Sequence, residues 1–149
     1  MKIIVDTNIV FSAILNSNSR IGKILLQSKG HFKFYSCHYL QTEIHQHRNK
    51  LLKLTKLTEE NLTELERLVT HNITFIDERL LPQALLVKTE SILKLIDLTD
   101  TPFLALTKHL EGHLWTGDMR LYNGLKAKRF KNILTTSELS ILLDGLERD

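Results

Sequence analysis

Four acids stand where chemistry could use them. Ile3-Ile4-Val5 is an apolar run that ends on Asp6-Thr7-Asn8, and His113-Leu114-Trp115-Thr116 ends on Gly117-Asp118. A buried strand ending on an acid carries that acid to the C-terminal rim of a sheet, where open α/β sheets bind ligands. Each aspartate has a plainer reading. Asp6 could cap the helix holding Ile9, Val10 and Ile14, and Asp118 could serve a turn beside Gly117. Two strands delivering acids in the same way weaken both plain readings. Glu43 lies beside, not opposite, the stripe of Leu40 and Ile44. A glutamate there must find a partner or extend its stem to water. Asp100 precedes Thr101-Pro102, and proline in a first turn marks a helix start.

Gathered carboxylates repel one another and hold protons at neutral pH unless a cation joins them. Hard divalent ions such as Mg²⁺ or Mn²⁺ take oxygen ligands. Carboxylate-held ions activate water, grip a phosphate and neutralise developing charge. Asp6, Glu43, Asp100 and Asp118 therefore suggest phosphodiester hydrolysis.

The elements needed to position these acids are legible. Five β-leaning runs, Lys2–Val5, Phe32–Ser36, Ile73–Ile76, His113–Thr116 and Asn132–Thr135, alternate with helical segments. That alternation predicts a parallel sheet covered on both faces. Leu40, Ile44 and Leu51 read as one helical stripe, and Leu62, Leu65 and Val69 as another, with Thr58 capping the second. Thr135-Thr136-Ser137-Glu138 is a capping box ahead of a helix whose apolar face is Leu139, Leu142, Leu143 and Leu146.

Composition bounds the rest. A chain of 149 residues without repeats or linkers is the size of one domain, 1–149. No apolar run approaches the ~20 residues that cross a bilayer, and three apolar residues before Asp6 are too few for a signal peptide. One cysteine, Cys37, excludes an internal disulfide and a cysteine zinc site, which fits a reducing cytoplasm. It reads as a buried structural cysteine, and Trp115 as core. The seven histidines read as incidental, since His45 and His47 lack the i, i+4 spacing of a zinc pair.

Net charge is +3. Setting the four acids aside leaves 13 acids against 20 Lys and Arg, an excess of seven cations. Two stretches lack acids. One, Arg120 to Lys131, includes Arg120, Lys126 and Lys128. The other, His45 to Lys56, includes Arg48, Lys50, Lys53 and Lys56. The first follows Asp118 directly and is expected to contact a nucleic-acid backbone. The second reads as a solvated face.

The chain resembles the PIN-domain family over nearly its whole length. The resemblance rests on Val5-Asp6-Thr7-Asn8-Ile9-Val10, on Glu43, on Asp97 to Leu106, and on Leu114-Trp115-Thr116-Gly117-Asp118. It implies a three-layer α/β/α fold whose five-stranded parallel sheet has the order 3-2-1-4-5. It implies that Asp6, Glu43, Asp100 and Asp118 are the metal-site acids, with Asn8 and Thr116 supporting them by hydrogen bonds. Many members are VapC-type toxins: cytoplasmic, Mg²⁺-dependent ribonucleases, usually dimeric and silenced by an antitoxin from the same operon. Others act on RNA without an antitoxin. The segment Leu51–Leu68 corresponds to a helical pair that helps form dimer or antitoxin surfaces in such toxins. Met119-Arg120-Leu121 stands where many of them carry a further acid. Two rivals are a catalytically quiet PIN module that binds RNA or protein, and an aspartyl-phosphate phosphatase. Asp6-Thr7-Asn8 lacks the second acid the latter requires. Between Asp97 and Asp100, helix-start geometry favours Asp100 as the third ligand, with Asp97 capping or solvating the loop.

Overall fold

The computed structural model describes residues 1–28 and 30–148. Its strands are β1 (Lys2–Val5), β2 (Lys33–Cys37), β3 (Ile73–Ile76), β4 (His113–Trp115) and β5 (Ile133–Leu134). Its α-helices are α1 (Thr7–Leu15), α2 (Arg20–Gln27), α3 (His38–Gln46), α4 (Arg48–Thr55), α5 (Glu59–Thr70), α6 (Gln83–Leu93), α7 (Thr101–Leu110), α8 (Met119–Ala127) and α9 (Thr136–Arg148).

The strands pair in parallel in the order β3-β2-β1-β4-β5, the order the resemblance implies. Consecutive residues Ile3, Ile4 and Val5 are all fully buried, as a central strand covered on both faces requires. Helix α7 packs across β1, β2 and β4 with α6 against it, while α1 packs with α2, α3, α4 and α5. From β1 the chain turns towards β2, and from β4 towards β5. The boundary between β1 and β4 is therefore the switch point of the sheet. Val5 pairs with Trp115, so the residues just beyond both strands emerge side by side.

β1 and β3 span the runs read from the sequence, β2 moves one residue along the chain, β4 ends one residue early, and β5 is trimmed to two residues. The helix expected to carry Leu40, Ile44 and Leu51 is in fact two. It breaks at His47, whose backbone N–H donates to the Glu43 and Ile44 carbonyls (3.1 and 3.2 Å) and whose ψ of 13° leaves the helical range. Arg48 then ties the new helix to α5, donating to the Glu59 carbonyl (3.0 Å) and Thr63 Oγ1 (2.8 Å) and pairing with Glu66 (3.4 Å). Thr58 caps α5 by accepting from the Asn61 N–H (3.1 Å). The capping box of α9 is reciprocal: Thr135 N–H donates to Glu138 Oε1 (3.1 Å), and Glu138 N–H to Thr135 Oγ1 (3.2 Å). On that helix Leu139 is buried, but Leu142 and Leu146 are exposed, so its inward face is narrower than the leucine pattern suggests. Cys37 and Trp115 lie in the core.

Candidate active site

Asp6 leaves β1 as the N-cap of α1 and is almost completely buried. Oδ1 accepts the Thr7 N–H (2.7 Å). Oδ2 accepts Thr116 Oγ1–H (2.7 Å) and Asn8 Nδ2–H (3.3 Å). Asn8 Oδ1 accepts the Gly117 N–H (3.0 Å), and Thr116 Oγ1 accepts the Asp118 N–H (3.1 Å). The two strand ends are thereby laced together through the first aspartate. Asn8 and Thr116 are the hydrogen-bonding pair the resemblance picks out.

Asp118 caps α8, with Oδ1 accepting the N–H groups of Arg120 (2.9 Å) and Leu121 (3.2 Å). Glu43, on α3, accepts Thr7 Oγ1–H at 2.6 Å. Asp100 sits at the start of α7 but makes no capping bond. Its Oδ2 is buried without a partner. Asp97 is the capping acid there, accepting both the N–H (2.9 Å) and the hydroxyl (2.7 Å) of Thr99.

A cavity of about 280 Å³ joins these groups. Asp6, Glu43, Asp97 and Asp100 line it, with Thr7, Asn8 and Thr99 between them. Phe11, His47 and Lys50 complete the wall. Asp118 stands outside this lining, yet its charge reaches Asp6 and Asp100. A larger cavity of about 600 Å³ opens by the N-terminal ends of β2 and β3, beside Lys33 and Asn72, and contains none of the four acids.

The acids disturb one another. Burial pushes the Asp6 carboxyl up to about 6, against the pull of its bonds from Thr116 and Thr7, and the charges of Glu43 and Asp118 raise it further. Asp100 is pushed up to about 8, first by burial and then by Asp6, Asp97, Asp118 and Glu43. The Tyr39 phenol is raised by burial and by Glu43, Asp97 and Asp100, so it keeps its proton beside them.

Among the described residues, no three His, Cys, Asp or Glu side chains are already arranged to hold a metal ion. The donor chemistry nevertheless fits a hard divalent cation. Every acid offers oxygen, the acids repel one another, and the most strongly perturbed one keeps an oxygen that nothing else uses. Bringing the ligands together would require side-chain rotation, and for Asp100 Oδ2 no hydrogen bond would have to break.

The basic residues fall out differently from their sequence clusters. Lys128 donates to the Ile92 carbonyl (2.6 Å), and Lys126 lies 5.4 Å from the centre of the Tyr122 ring. Both are two turns or more along α8 from Asp118, whereas Arg120 is in its first turn. His47 and Lys50, in the stretch read as a solvated face, line the acidic cavity. Their signal was spacing: Glu43, His47 and Lys50 recur at i, i+4 and i+7, one face of a helix.

No curated protein sequence matches the chain. Among solved structures, a chain of VapBC2 from Rickettsia felis, crystallised bound to a DNA fragment from its promoter, superposes with a TM-score of 0.65 at 16% identity. The match covers 91% of this chain and 97% of that one, which shows a shared fold. Among the described residues, no helix is long and apolar enough to cross a membrane. The profile of the PIN domain matches residues 4–142, and the chain therefore belongs to the PIN-domain family of nucleases.

Proposed function

We propose that the protein is a divalent-metal-dependent ribonuclease of the cytoplasm that hydrolyses phosphodiester bonds of RNA, and that it is the toxin of a type II toxin–antitoxin pair. The observation that carries the nuclease reading is the convergence of Asp6, Glu43, Asp100 and Asp118 at the switch point, with Asp100 Oδ2 buried and unpartnered. These four side chains would hold Mg²⁺ or Mn²⁺. Such an ion, when bound, supplies an activated water and neutralises charge on the phosphate. Thr116 and Asn8 fix the orientation of Asp6. Thr7 holds Glu43, and Asp97 shapes the turn that delivers Asp100. Arg120, Lys126 and Lys128 are the proposed backbone contacts along α8, with Arg120 nearest the acids.

The antitoxin reading is supported by the fold shared with the VapBC2 chain. A homodimer is proposed on family likeness. Within Leu51–Leu68, Leu54 and Leu68 are about half exposed and available to it, whereas Leu51 and Leu62 are fully buried.

Purified protein should cleave single-stranded RNA with Mg²⁺ or Mn²⁺ and stop in EDTA. Asp6→Asn and Asp100→Asn should abolish cleavage while remaining folded, and Asp97→Asn should retain most of it. Cleavage that persists in EDTA would sink the metal mechanism. Light scattering at micromolar concentration tests the dimer, and a monomer counts against it.

A further inference from the structure

Two facing stripes line the cavity. Thr7 and Phe11 are one turn apart on α1, and Glu43, His47 and Lys50 run along α3 and α4. The first rung is the bond from Thr7 Oγ1 to Glu43 Oε1. The second is aromatic and cationic: the His47 ring meets the Phe11 ring edge-on at 6.2 Å, and Lys50 Nζ lies 5.5 Å from the Phe11 ring centre. Phe11 is packed on the core, so it is a fixed support. His47 and Lys50 are exposed at the cavity wall, and among the described residues neither forms an ion pair. A lysine beside several carboxylates that stays on a ring face leaves its charge available to a ligand.

We propose that His47 and Lys50, held on Phe11, form a phosphate subsite for the nucleotide adjacent to the scissile bond of single-stranded RNA. This rests on the ribonuclease reading. The rungs are four residues apart on α1, about 6 Å along its axis. That is the scale of one phosphate-to-phosphate step along an extended strand. The acids repel a polyanion, and a cation one step away lowers that barrier without entering the acid cluster. The break at His47 and the Arg48 clamp on α5 set the position of Lys50 relative to Phe11.

The test uses the full-length protein with a fluorescently labelled single-stranded RNA oligonucleotide. Binding is read by anisotropy in Ca²⁺ across a salt series, and cleavage in Mn²⁺. Lys50→Ala should weaken binding about fivefold, the upper end for one exposed ion pair. It should flatten the slope of log affinity against log salt by about 0.7. In cleavage it should raise KM more than it lowers kcat. Lys50→Arg should restore most of the affinity, and Lys50→Glu should bind more weakly than Lys50→Ala. Phe11→Leu, which keeps apolar bulk but removes the ring, should reproduce part of the loss. Unchanged affinity and salt slope in Lys50→Ala overturns the subsite, even if the wild type cuts RNA. So does a loss confined to thermal stability or kcat. A wild type that never cuts RNA but shows these binding changes overturns the ribonuclease reading instead, and leaves His47 and Lys50 as a phosphate-binding site with no scissile bond beside it.

Discussion

Asp100→Asn should make the cation-free protein more stable, by an amount that grows with pH. The Asp100 carboxyl titrates near 8 in the fold, against an ordinary value of 3.8. At pH 7 the unfolded chain has lost this proton and the folded chain still holds it. Holding it costs at most about 1.36 kcal/mol for each of the roughly three pH units between 3.8 and 7, or about 4 kcal/mol. The carboxylate opens onto a cavity that admits water, so screening reduces this to about 2 kcal/mol. Because the folded pKa is the higher one, the penalty is absent below pH 3.8 and accumulates as pH rises towards 8. The asparagine keeps the shape and removes the titration. For a chain of this length, about 2 kcal/mol corresponds to an unfolding midpoint roughly 4–8 °C higher. Thermal unfolding in EDTA, followed by circular dichroism from pH 4 to 8, reads the difference. The two proteins should coincide near pH 4 and separate steadily above it. Saturating Mn²⁺ should then reverse the order: a ligand at a hundred times its Kd stabilises the wild type by about 2.7 kcal/mol, and the variant gains less. A variant no more stable at pH 8 than at pH 4, relative to wild type, would refute the claim that this carboxyl is electrostatically crowded.

Three further outcomes are expected. Thr116→Val removes the 2.7 Å bond to Asp6 and should weaken Mn²⁺ affinity by about 10–100-fold, measured by calorimetry, while the core stays intact. Cys37, buried with its thiol pushed up to about 12, should ignore Ellman's reagent in the native protein and react once it is unfolded. Gly112→Ala would set a Cβ 2.5 Å from Ile4 Cδ1 and 2.9 Å from the Lys2 carbonyl oxygen, and should cost about 1–3 kcal/mol in urea unfolding.

Strand content was legible because Ile3-Ile4-Val5 and Leu114-Trp115 are short apolar runs ending in polar turns, a signal that does not depend on tertiary contacts. The strand order came with the family likeness, since alternation alone gives a parallel sheet without an order. Caps were legible for the same local reason: Thr58, Thr135 and Glu138 act on residues three positions away. The break at His47 was not legible. Leu40, Ile44 and Leu51 satisfy a continuous helical stripe, and what ends the helix is the Arg48 clamp on α5, a contact made across 11 to 18 positions of sequence. The cationic wall was missed for a related reason. A charge run read as composition looks the same whether it faces water or a cavity; the spacing of Lys50 from Glu43 and the opposing Phe11 on α1 are what distinguish it from Lys53.

The two central acids are held in opposite ways. Asp6 accepts three hydrogen bonds and cannot turn without breaking them. Asp100 has a free buried oxygen and the higher pKa. Fixing both would force two ionised carboxylates together in the cation-free protein, at a cost that marginal stability tolerates poorly. Freeing both would leave no preorganised ligand, and binding would have to order each one. One anchored acid and one that keeps its proton until a cation displaces it avoids both penalties. On this reading cation uptake releases protons, so affinity for Mg²⁺ or Mn²⁺ should fall as pH drops below 8.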